Sequence, residues 1–66
     1  MSIYKFANNL RKIRENKKLS QEDLAHLSGV NRRSVLRLEN GLIKEPTIDT
    51  LLKLSASLEF DLVDLY

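Results

Sequence analysis

Apolar residues along this 66-residue chain are spaced at the three- and four-residue intervals of helices rather than in the alternation of a half-buried strand, which makes all-α the leading fold class. No internal repeat, low-complexity tract or linker divides it. A chain of this length fits one domain, 1–66, close to the size at which a single core is only marginally stabilising. The expected architecture is a compact bundle of about five short helices.

Caps and breakers set the expected boundaries. Phe6, Leu10 and Ile13 fall at i, i+4 and i+7, which predicts a first helix from about Tyr4 to Asn16 with Lys5, Arg11 and Lys12 outward. Lys17 and Lys18 close it with charges that suit the helix dipole. Ser20 followed by Gln21, Glu22 and Asp23 resembles a capping box, so a second helix starts near Gln21, turns Leu24, Ala25 and Leu27 inward, and ends at Ser28 or Gly29. Asn31 caps a third helix that runs through Val35 and Leu38 to Asn40, where Gly41 stops it. Beyond a loop from Leu42 to Pro46, Thr47 caps a fourth helix with a broad apolar face of Ile48, Leu51, Leu52, Leu54 and Leu58. Asp61 opens a final short turn or helix with Val63 and Leu65. Phe60, Leu62 and Tyr66 find no clear place in so small a core and are candidates for an interface or for core closure over the first helix.

Composition removes several kinds of chemistry. With no cysteine and a lone His26, disulfides, thiolate zinc sites and Cys/His nucleophile pairs have no support, and no cofactor or metal is expected. No paired-carboxylate cleft is evident either, so an enzyme is not expected. No apolar run is long enough to span a bilayer and the first residues lack a signal-peptide layout, which points to a cytoplasmic chain. The net charge of +2 divides unevenly: residues 1–44 hold ten Lys/Arg against four Asp/Glu, and residues 45–66 hold Lys53 against five acids. A basic front suits a polyanion, although a scattered, solvated charge pattern gives the same totals.

Two short helices joined by a tight glycine-containing turn make the arrangement of a helix-turn-helix, here spanning about residues 20–41, which presents its second helix to the DNA major groove. Shape alone is not specific, since small helical proteins contain such pairs for packing. The outward face of the third helix adds the chemistry. At about 100° per residue from Val35, Arg33 and Arg37 point almost directly away from the core and Arg32 lies in the first turn. Guanidiniums one turn apart suit bidentate contact with guanine O6 and N7, and no acid at i±4 neutralises Arg33 or Arg37.

The stretch from Leu19 to Gly41, with its Leu-Glu-Asn-Gly ending, resembles the helix-turn-helix of lambdoid phage repressors and Cro proteins, the XRE-type family. Thr50 to Leu58 and Asp61 to Leu65 resemble the last two helices of the same family. The resemblance implies that Arg32, Arg33 and Arg37 occupy base-contacting positions. It implies that Gln21 contacts backbone phosphate and buttresses the base-reading side chains, and that Asn40 and Lys44 contact phosphate. Asn31, at the start of the same helix, is a further candidate for the DNA backbone. Arg14 and Glu39 match a partly buried ion pair, which accounts for an acid on the inward side of a helix meant for DNA.

Two positions depart from the family pattern. Ser28 stands where an apolar residue is usual before the turn glycine, so Leu27 is expected to pack there instead. Leu36 projects about 100° from Val35, where it can touch a thymine methyl or deoxyribose, or, as the preferred expectation, pack on the loop near Leu42 and Ile43. The partners expected are double-stranded DNA and a second copy of the chain, bound on an inverted repeat through Phe60, Leu62 and Tyr66. The rival expectation is a protein-interaction module of the same fold, such as an antitoxin, whose partner is a toxin or co-regulator.

Overall fold

The last three helices each begin where a side chain can serve their free amides. The computed structural model describes residues 3–43 and 46–60, as helices α1 (Ile3–Asn16), α2 (Gln21–Ser28), α3 (Arg32–Glu39) and α4 (Ile48–Leu58). Among these residues there is no strand. The final turn or helix expected from Asp61 lies outside the described residues, as do Lys44, Leu62 and Tyr66.

Ser20 forms a complete capping box: its hydroxyl accepts from Asp23 N–H at 2.9 Å and the Asp23 carboxylate accepts from Ser20 N–H at 2.9 Å. The Ser20 backbone amide, and after it the Ser20 hydroxyl, hold the Asp23 carboxyl below its ordinary pKa. A lowered carboxylate stabilises the fold at and above the ordinary carboxyl range, and the contribution is lost as pH falls through the lowered value. Asn31 Oδ1 accepts from Arg33 N–H at 2.8 Å, and Thr47 Oγ1 accepts from Thr50 N–H at 3.1 Å.

Between α2 and α3 the turn is three residues long. Gly29 takes φ 75°, a left-handed conformation in which its own N–H still reaches the Ala25 carbonyl. The Ser28 hydroxyl accepts from Val30 N–H at 3.1 Å and sits 3.5 Å from the Ala25 carbonyl, so this buried serine is satisfied inside the turn. Leu27 does not take its place in the core. It is 59% exposed, while Leu24, Ser28 and Val30 are the residues buried here.

The core unites Phe6 and Leu10 of α1, Leu24 of α2, Val30 of the turn, Val35 and Leu38 of α3, and Leu51, Leu54 and Leu58 of α4. Packing runs from α1 to α3, from α3 to α2, and from α2 to α4. The fourth helix buries a narrower stripe than its composition suggested: Ile48 and Leu52 are 66% and 54% exposed. Leu51, Leu54 and Leu58, at i, i+3 and i+7, alone face α2 and the rest of the core. Among the described residues no helix is long and apolar enough to cross a membrane.

At the end of α1 the chain turns through Lys18, which holds φ 61°. Its backbone amide donates to the Glu15 carbonyl at 2.9 Å and that of Leu19 to the Arg14 carbonyl at 3.2 Å, a left-handed closure of the helix. A side chain costs about 1 kcal/mol or more in this conformation. Lys18→Gly is therefore expected to stabilise the domain by roughly 0.5 kcal/mol after the extra entropy of an unfolded glycine is subtracted. Urea unfolding followed by circular dichroism checks it.

Candidate nucleic-acid interface

The exposed side of α3 carries Arg32, Arg33 and Arg37, and all three are exposed to solvent. Among the described residues no carboxylate forms an ion pair with any of these guanidiniums; the ion pairs present join Arg11 and Arg14 to Glu39 and Lys53 to Asp49. Val35 and Leu38 anchor the opposite side of the helix in the core, which fixes the sector that the arginines occupy. Arg32 and Arg33 line an open concavity of about 360 Å³ together with Leu36 of the same helix and Gln21 at the start of α2. Arg37 stands one turn further along the exposed surface, outside that concavity, with Asn40 capping the helix end beyond it.

Glu39, only 2% exposed, is the centre of the brace behind this surface. Its carboxylate accepts two bonds from Arg14, Nε to Oε2 at 2.6 Å and Nη2 to Oε1 at 3.0 Å. The remaining Arg14 nitrogen, Nη1, donates to the Leu19 carbonyl at 2.7 Å, so one guanidinium ties α1 to α3 and to the segment entering α2. Its hydrogen bond to Glu39 holds the Arg14 pKa above the ordinary arginine value, against burial, with the charges of Glu39 and Glu15 adding to the effect. A raised cation stabilises the fold below its unfolded pKa, so this contribution is lost only in strong alkali.

Gln21 Nε2 donates to Glu39 Oε1 at 3.1 Å. One amide hydrogen of Gln21 is thereby committed to the brace and the other remains for an acceptor on the open side. Asn31 uses its side-chain oxygen as a helix cap, which leaves its amide nitrogen for an acceptor. Arg11, assigned outward from the sequence, instead donates from Nη2 to the Glu39 backbone carbonyl at 2.9 Å and lies 3.7 Å from Glu39 Oε1. Its spacing was the available signal, since Arg11 is one turn before Arg14 on the same helical face. Leu36 is 44% exposed, and Leu42, the loop residue expected to cover it, is exposed as well. Phe60, the described member of the apolar C-terminal set, lies with its ring centroid 5.8 Å from Lys17 Nζ.

Two short helices crossing a three-residue turn, with the second helix braced from behind and basic in front, make a helix-turn-helix unit. The Helix-turn-helix family model HTH_3 matches residues 10–65. The chain belongs to this XRE-type helix-turn-helix family of DNA-binding transcription regulators. Among solved structures, the restriction-modification controller protein C.AhdI from Aeromonas hydrophila is 38% identical with a TM-score of 0.89, over 97% of this chain and 96% of that one. An HTH_3 family transcriptional regulator from Vibrio cholerae is 32% identical with a TM-score of 0.87, over 96% of this chain but 35% of that one. The hypothetical transcription factor NHTF from Neisseria is 29% identical with a TM-score of 0.89, over 98% of this chain and 74% of that one. Among proteins of curated function none matches the chain.

Proposed function

We propose that the chain is a sequence-specific, repressor-like transcription regulator that binds an inverted-repeat operator as a homodimer. The observation that carries this reading is the set of three exposed guanidiniums on α3, none of them neutralised by a described carboxylate. Arg32, Arg33 and Arg37 read base edges, guanine above all, because a planar fork matches O6 and N7. Gln21, Asn31, Asn40 and Lys44 hold the DNA backbone and set the register in which the arginines reach the groove.

Two copies are needed because one recognition helix offers few base contacts, and doubling them makes binding both tighter and concentration-dependent. Phe60, Leu62 and Tyr66 supply the contact between copies. Likeness to a restriction-modification controller along almost the full length of both chains supports a role in controlling such a gene pair.

Selection from random duplex DNA tests the reading. The expected product is a symmetric motif with guanines in each half and half-site centres about 10 base pairs apart. An enriched motif without symmetry removes the homodimer alone, and no enriched motif removes the sequence-specific function. The latter outcome favours a second reading, a protein-interaction module such as an antitoxin. Support for it comes from the outer face of α2, where the exposed Leu27 lines a concavity of about 460 Å³ with Leu19, Glu22, Asp23 and His26.

A further inference from the structure

Val35 and Leu38 of α3 are wholly buried, whereas Leu36, the remaining apolar residue of that helix, is 44% exposed. At about 100° per residue Leu36 lies between Arg32 and Arg33 on the exposed sector, three and four residues beyond them and so beside both. Its remaining surface is left open by the described residues. Leu42 is itself exposed and Ile43 packs on the core cluster. Arg32, Arg33, Leu36 and Gln21 together line an open concavity of about 360 Å³, in which Leu36 is the one wholly apolar side chain and the other three end in hydrogen-bond donors. Gln21 is held in place by its bond to Glu39.

An apolar side chain lining a concavity with three donor-bearing ones fits a ligand that offers an apolar group beside acceptors. On the major-groove edge of DNA the thymine 5-methyl is the apolar group, and thymine O4 and guanine O6 and N7 are acceptors beside it. We propose that Leu36 is a specificity-determining residue that packs on the 5-methyl of a thymine adjacent to a guanine read by Arg32 or Arg33. This rests on the DNA-reading function above and adds to it a preferred neighbour for the guanine. A deoxyribose contact is the weaker fit, because sugars line the groove walls while Arg32 and Arg33 flank Leu36 on the sector assigned to base edges.

The test replaces each thymine of the selected half-site in turn by deoxyuridine, which removes the methyl and leaves every hydrogen-bonding group. One position is expected to lose about fourfold in affinity, the equivalent of one methyl returned to water. Leu36→Ala is expected to bind the thymine duplex with a similar loss and to make no distinction between thymine and deoxyuridine there. A thermal melt of Leu36→Ala verifies its fold, which the position outside the core cluster should leave intact. The inference is overturned if no thymine is sensitive, or if the native chain and Leu36→Ala lose equally on deoxyuridine. Equal weakening of Leu36→Ala on all duplexes also overturns it, in favour of a sugar contact. A guanine-bearing motif with no methyl dependence leaves the DNA-reading function standing, whereas no enriched motif overturns both.

Discussion

Glu39→Ala is expected to remove most of the protein's stability at neutral pH. The substitution leaves the Arg14 guanidinium, itself buried, without the carboxylate that takes two of its hydrogen bonds, and removes the acceptor of Gln21. Breaking a buried pair by removing one member costs about 3–5 kcal/mol. Domains have total stabilities of about 5–15 kcal/mol, and one this small falls toward the lower end. Arg14→Ala should cost a comparable amount, because it leaves the buried Glu39 with only the Gln21 amide and the more distant Arg11. Arg11→Ala should cost less than about 1 kcal/mol, since that side chain is 42% exposed and solvent screens its charge.

The double variant Arg14→Met with Glu39→Leu separates the energetic role from the positional one. Replacing both charges by apolar groups of similar size is often neutral or stabilising by about 1–4 kcal/mol, so most of the lost stability should return. DNA affinity should not return with it, because Gln21 no longer has the carboxylate that orients its amide toward the groove. Urea unfolding and fluorescence anisotropy on the selected duplex measure the two quantities. A loss below about 1 kcal/mol for either single variant would show that the pair is solvated and that the brace lies elsewhere.

The second large effect belongs to the surface the brace supports. Arg33→Ala and Arg37→Ala should each weaken binding to the selected duplex by about 1–3 kcal/mol and relax preference at one base pair, with little change on a scrambled duplex. Specific sites exceed non-specific ones by about 4–10 kcal/mol in total, so the double variant should lose most of its discrimination. Arg37→Lys should not rescue it, because an ammonium lacks the planar fork that spans O6 and N7. Neither arginine supports the core, so both variants should melt as the native chain does. Equal losses on selected and scrambled duplexes would reassign these arginines to phosphate.

The correspondence between sequence and structure has a physical pattern. Ser20, Asn31 and Thr47 act within three residues of their own positions, so the starts of α2, α3 and α4 could be read from the chain as written. The outward sector of α3 was legible for the same reason, since Val35 and Leu38 fix the helix phase and Arg33 and Arg37 then have one direction open to them.

Burial was less legible wherever it depended on a neighbour distant in sequence. Helical period placed Leu27, Ile48 and Leu52 on apolar faces, yet only the packing of α4 against α2 decides which part of a face is covered, and all three lie outside it. Arg11 shows the same limit from the polar side. Its carbonyl partner on Glu39 is 28 residues away, and no local rule specifies that meeting. Sequence by itself thus determined the helices, the turn and the basic face, because caps, glycines and period act over one or two turns. Only the tertiary structure decided that Glu39 gathers Arg11, Arg14 and Gln21, and that Leu36 shares a concavity with Arg32, Arg33 and Gln21, because those contacts form when separate helices meet.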